Sequence, residues 1–117
     1  MDWPAVVTLG LNYPDVESAT SYGTPALKVR RVLLTRYRPE DDSLVLLDVQ
    51  AEERDMLIEA APETFFCEDH YLGYDIVLAR LAALDEATLR PFVERRWRAR
   101  ATKAAVAAWD KGQGRAG

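Results

Sequence analysis

Cys67, Glu68, Asp69 and His70 stand side by side, and they include the only cysteine and the only histidine of the chain. These residue types could bind a metal or pair a thiolate with an imidazole base. Zinc takes three or four ligands in tetrahedral reach, usually from two separated pairs, and one cluster on a short segment does not supply them. A Cys–His nucleophile needs its base within reach of the thiol and a third group to orient that base. Residues three apart on an extended segment seldom meet, so His70 reads as a structural histidine hydrogen-bonded to the hairpin it stands on. Gly23 and Gly73 are isolated, which leaves no phosphate-cradling loop and no dinucleotide fingerprint. The acid pairs Asp41–Asp42 and Glu52–Glu53 read as solvated surface. No catalytic residue, metal or cofactor is expected.

The remaining chemistry is cationic. The net charge of the 117-residue chain is -4, which disfavours nonspecific attraction to nucleic acid for the molecule as a whole. The charge is unevenly spread, however. Residues 28–38 carry Lys28, Arg30, Arg31, Arg36 and Arg38 with no acid, a local +5. Residues 90–103 carry Arg90, Arg95, Arg96, Arg98, Arg100 and Lys103 against Glu94 alone, another +5, so the rest of the chain sums to -14. An acidic body bears two basic segments.

Length allows one domain and one core. A hydrophobic content of 49% against 29% charged residues excludes the composition of disordered chains. The start lacks the basic residues and cleavage site of a secretory signal, and its apolar run is far short of the roughly 20 residues that cross a bilayer. One cysteine cannot form an internal disulfide, and a cytoplasmic location with no membrane association is expected.

Asp2 as cap and Pro4 in the first turn make "AVVTLGL" a helix ended by Pro14, followed by a polar link "DVESATSYGTP". "ALKVR", "VLLTRYR" and "SLVLLDV" read as a three-stranded antiparallel meander with a turn at "PEDD". "AEERDMLIEAAP" is a helix stopped by Pro62; "TFFCED" and "DIVLARLAAL" are strands on either side of a turn at "HYLGY". Asp85 caps a last helix, "EATLRPFVERRWRARAT", which Pro91 should kink or restart. At 100° per residue Leu89, Phe92, Val93 and Trp97 form its buried stripe, with Arg96 and Arg100 inside that stripe and Arg95 and Arg98 on the exposed face. The expectation is a two-layer α+β domain over residues 1–103, of order α-β-β-β-α-β-β-α with a mainly antiparallel five-stranded sheet. Residues 104–117 form an extension, helical at first and then frayed. Large apolar residues on both faces of the central strands imply that the helix-free face is covered or shared, which a homodimer would achieve as well as a monomer that covers it internally.

The element order, with "YGTPALKVR", "DSLVLLDVQAEERDMLIEAAPETFF" and "HYLGYDIVLARL", resembles the MmcQ/YjbR family of small bacterial proteins over about residues 5–103. The resemblance implies an α+β fold like that of secretion chaperones and a DNA-binding function through a double-wing shape. It also implies that the two motif elements, Tyr22, Gly23, Thr24 and Pro25 in one and His70, Tyr71, Gly73 and Tyr74 in the other, gather at one end of the sheet.

Two functions follow as expectations. Double-stranded DNA could be gripped through phosphates by Lys28, Arg30, Arg31, Arg36, Arg38, Arg95, Arg98 and Lys103. Alternatively, the chain is a non-enzymatic module that binds another protein through its sheet face or its Arg- and Trp-bearing last helix. A continuous cationic stripe without acids favours DNA; arginines neutralised by neighbouring acids favour protein.

Overall fold

Asp2 accepts a hydrogen bond from the Ala5 backbone N–H and starts α1 (Trp3–Leu11), a side-chain cap that satisfies one of the open donors at a helix start. The computed structural model describes residues 1–113, so the end of the expected frayed tail, 114–117, lies outside the described residues. After α1 the chain runs through β1 (Val16–Ser21), β2 (Thr24–Val29), β3 (Val32–Arg38), β4 (Ser43–Leu47), α2 (Ala51–Ala60), β5 (Phe65–Phe66), β6 (Ile76–Arg80), α3 (Glu86–Arg100) and α4 (Lys103–Gly112). The fold is α+β, with one antiparallel sheet of order β1-β2-β3-β4-β6-β5. Among the described residues no helix is long and apolar enough to cross a membrane.

The sheet has six strands where five were expected. The extra one is β1, formed by the "polar link", and the meander is four-stranded. Its sequence hides it for a physical reason. β1 is an edge strand of which only Val16, Ala19 and Ser21 are half-buried, so the apolar alternation that reveals a strand is missing while the ladder to β2 is complete from Val16↔Val29 to Ser21↔Thr24. "TFFCED" shortens to Phe65–Phe66.

The core lies on the helix side of the sheet, where Leu27, Val29, Leu44, Leu46, Val77 and Ala79 meet Val6 and Leu9 of α1 and Leu89, Val93 and Trp97 of α3. Gly10 lets α1 approach closely, because a Cβ there would run into Leu27 Cδ1. α3 is one continuous helix across Pro91. The donor that proline removes would have met the carbonyl of Ala87, and both residues are exposed, so solvent can take that carbonyl without a break. The helix ends at Arg100, and Thr102 accepts from the Ala105 N–H to cap α4 separately. α4 then folds back, and Trp109 stacks on Tyr13 at 4.4 Å between ring centroids and meets Trp97 edge-on.

On the other face of the sheet Ala26, Val45 and Leu78 are buried within a single chain. The β5–β6 connection brings His70, Tyr71 and Tyr74 beside Val45 on that face.

Candidate functional site

Tyr22 and Gly23 are the two central residues of the β1–β2 hairpin, with φ of 52° and 77° between the paired Ser21 and Thr24. Two positive φ values define a type I′ turn, whose twist matches the flanking strands. A Cβ at Gly23 would meet nothing within 4 Å, so the glycine serves the dihedral and not a close approach. The next hairpin has the same geometry without a glycine: Arg30 and Arg31 sit at φ 51° and 68° between Val29 and Val32. Left-handed backbone costs an ordinary L-residue about 1 kcal/mol or more. Gly23→Ala is therefore expected to lower stability by about 1 kcal/mol, and Arg30→Asn with Arg31→Gly to raise it by a similar amount. Urea midpoints that move together in one direction would contradict this account of the two turns.

A β-bulge assembles the site. Pairing of β2 with β3 slips by one residue between Leu27↔Thr35 and Lys28↔Leu33. The inserted residue, Leu34, faces the core, so Leu33 and Arg36 both reach the outer face although they are three apart. With Val45 and Leu47 of β4 and Ile76 of β6 they floor a groove of about 590 Å³, walled by Tyr22, His70, Tyr71 and Tyr74. Tyr22 is 96% exposed and Tyr74 64%.

Arg36 joins the two motif elements. Its Nη2 donates to Tyr71 Oη at 2.7 Å and its Nη1 to Thr24 Oγ1 at 3.3 Å, while Thr24 Oγ1 donates to the Ser21 carbonyl at 2.9 Å. Both acceptors are neutral, and among the described residues no carboxylate lines the groove. Behind it, Arg38 is almost fully buried and meets Glu68 at 2.9 Å, Asp41 at 3.2 Å and Glu40 at 3.5 Å. Burial works against its charge, but the hydrogen bond to Glu68 and the nearby Asp41 and Glu40 outweigh that and hold its pKa above the ordinary arginine value. The acidic "PEDD" turn thus serves as counter-charge for Arg38.

Arg54 holds the far wall in place. It is buried on α2 and donates to the carbonyls of Tyr74 at 3.0 Å, Ile76 at 3.3 Å and Leu72 at 3.5 Å. Arg54 went unread in the sequence, although a single basic residue inside the acid-rich "AEERDMLIEAAP" was its available signal.

His70 does not hydrogen-bond the hairpin as expected; its ring packs on Tyr71 at 3.9 Å between centroids, with Glu68 Oε2 3.9 Å from Nδ1. Cys67 Sγ turns to the Glu68 carbonyl. Gly73 lies exposed in the loop, and Pro25 sits in β2 opposite Thr20.

The arginines of α3 are engaged with acids. Arg95 meets Glu53, Arg96 meets Asp48 and the Leu33 carbonyl, and Arg98 meets Glu94 and Asp110. Arg98 was expected on an open face and is instead half-buried, because α4 folds back over it. Hydrogen bonds to Asp110 first and Glu94 second push its pKa far above the ordinary arginine range. The two basic segments do meet, through Arg30 Nη1 on the Arg100 carbonyl at 3.5 Å, yet Asp48 pairs with Arg96 at 3.1 Å and lies 4.0 Å from Arg100. Among the described residues, Lys28, Arg30, Arg31, Arg36 and Lys103 take part in no ion pair.

No family model, curated protein or solved structure matches the chain.

Proposed function

We propose that this chain is a non-enzymatic, cytoplasmic binding module and that, in place of the DNA-binding role its resemblance to MmcQ/YjbR proteins implies, it contacts a protein partner through the outer-face groove. One observation carries this reading: Tyr22 and Tyr74 stand exposed on opposite walls of an apolar trough floored by Leu33, Val45, Leu47 and Ile76. Exposed aromatic residues around an apolar floor suit a protein contact, because tyrosine offers a large area with few rotamers to immobilise. The Arg- and Trp-bearing helix α3 is the weaker surface, since Trp97 is buried and Arg95, Arg96 and Arg98 are committed to acids. A random twelve-residue peptide library panned on the protein is expected to yield binders that a Tyr22→Ser, Tyr74→Ser variant fails to retain. A library that yields none, or binders indifferent to those tyrosines, would overturn the reading.

A second reading, duplex DNA, draws support from the Arg30–Arg31 hairpin, a cationic tip beside Arg100 with Lys28 behind it. It makes a separate prediction. If the tip grips phosphates, log K falls with log salt, and neutralising Arg30 and Arg31 flattens the slope by about two. The ion-paired Arg95 and Arg98 should contribute little. Because acids neutralise the arginines of α3 and the chain as a whole carries a net charge of -4, binding at 150 mM salt is expected to be no tighter than the roughly 100 µM end of nonspecific affinities, as fluorescence anisotropy with a labelled duplex would show.

A further inference from the structure

We infer that the occupant of the groove is an extended peptide segment carrying a carboxylate side chain and, two residues along, a large apolar one, the carboxylate docking on Arg36. This rests on the protein-binding reading and specifies its chemistry. A guanidinium has five N–H donors, and those of Arg36 meet only two neutral oxygens, Tyr71 Oη and Thr24 Oγ1. Arg36 is half-buried already. Any partner that covers the groove strips the remaining water from this cation, and a buried charge is tolerated only when paired. Among the described residues no acid lines the groove that could do so, so the partner must bring one. A carboxylate fits, since it accepts two parallel N–H bonds from the planar fork.

Register gives the spacing. Arg36 lies directly opposite Val45 in the ladder, and such cross-strand neighbours are about 5 Å apart. Leu47 lies two residues further along β4, on the same face. In an extended segment alternate side chains share one face and stand about 7 Å apart. An acid at one position therefore places the side chain two residues on over the apolar floor between Val45 and Leu47, flanked by Tyr74.

The same charges argue against a nucleic-acid strand in this groove. A single strand brings one phosphate per nucleotide and needs a row of cations. Here a single unpaired arginine lines the groove, while Glu68, Asp69 and Asp75 stand on the connection that walls it. One negative charge is matched; a run of them is repelled.

The test uses three capped pools, acetyl-X-Glu-X-Φ-X-amide and the same pool with Gln or Lys in place of Glu, where Φ is an equal mixture of Leu, Phe and Tyr and X is any residue except Cys, Asp, Glu, Lys and Arg. Backbone amide shifts of the wild-type protein at 150 mM salt are followed by NMR. The expected result is that the Glu pool moves the amides of Tyr22, Arg36, Tyr71 and Tyr74 with a half-saturation at least tenfold lower than the Gln pool, and that the Lys pool is weakest. Arg36→Gln should erase the difference between Glu and Gln while the thermal midpoint stays close to wild type. Equal half-saturation for Glu and Gln on the wild-type protein would overturn the carboxylate assignment and leave the peptide groove standing. No shift from any pool would overturn both. Displacement of the Glu pool from these amides by a twelve-residue oligo(dT) would overturn the assignment in favour of nucleic acid.

Discussion

Trp97→Ala is expected to lower the stability of the fold by about 3–5 kcal/mol, the range for removing a large aromatic side chain from a packed interior. Trp97 is fully buried. Its Nε1 donates to the Pro14 carbonyl at 2.8 Å, and its ring lies 5.2 Å from Tyr13 and 5.7 Å from Trp109. One side chain thus ties α3 to the end of α1, to the approach to β1 and to α4. Trp97→Phe keeps most of the apolar mass but leaves the Pro14 carbonyl without its donor, so a smaller loss of about 1–3 kcal/mol is expected. Trp109→Ala in the Trp97→Ala background should cost less than it does alone, because the two rings share a contact. Urea unfolding followed by circular dichroism measures all three. A Trp97→Ala loss below 1 kcal/mol would show that this aromatic cluster does not anchor the helices.

The second large effect belongs to Arg54, and it links stability to the groove. Replacing Arg54 with Met preserves the aliphatic stem but removes the donors that meet the carbonyls of Leu72, Tyr74 and Ile76. Each hydrogen bond lost from a charged donor costs about 1.5–3 kcal/mol, offset in part because a buried cation also disappears and because water can reach the carbonyls of the exposed Leu72 and Tyr74. The expected loss is about 2–4 kcal/mol, with Arg54→Lys intermediate because an ammonium cannot span the same fork of acceptors. Hydrogen exchange should separate this from a general weakening: protection at residues 72–76 should fall more than protection in β3 and β4. Peptide binding should fall as well, because Tyr74 stands on the released wall. Uniform loss of protection across the sheet would show that Arg54 acts on the core and not on the loop.

Where a residue's neighbours along the chain decide its environment, the sequence was sufficient. Asp2 and Asp85 cap α1 and α3 as read, since a cap acts on N–H groups three residues away. For Asp85 the hydrogen bonds from Thr88 also hold its pKa below the usual carboxylate value. The stripe of Leu89, Val93 and Trp97, with Arg96 inside it, was likewise visible, and Arg96 lies buried with its guanidinium on Asp48; Arg100, expected in the same stripe, is exposed instead, because α3 ends at that residue. Edge strand β1 was not visible. Its stability comes from main-chain pairing with β2, and main-chain donors and acceptors are the same for every residue except proline.

The same division runs through the candidate site. Composition and order determined an α+β chain with an acidic body, two basic segments and two tyrosine-bearing motif elements. Which charges remain uncompensated was decided only by tertiary structure, because an ion pair depends on distance in space: Arg95 and Glu53 are separated by 42 positions, and Arg96 and Asp48 by 48. Two segments equally basic in sequence thereby became unequal on the surface, one largely neutralised and the other leaving Arg30, Arg31 and Arg36 without an acid. The groove depended on folding for a different reason. A one-residue bulge turned Leu33 and Arg36 to the same face, and a loop pinned by a buried arginine closed over it. Register slips and buried polar anchors follow from packing across the sheet, which no local pattern encodes.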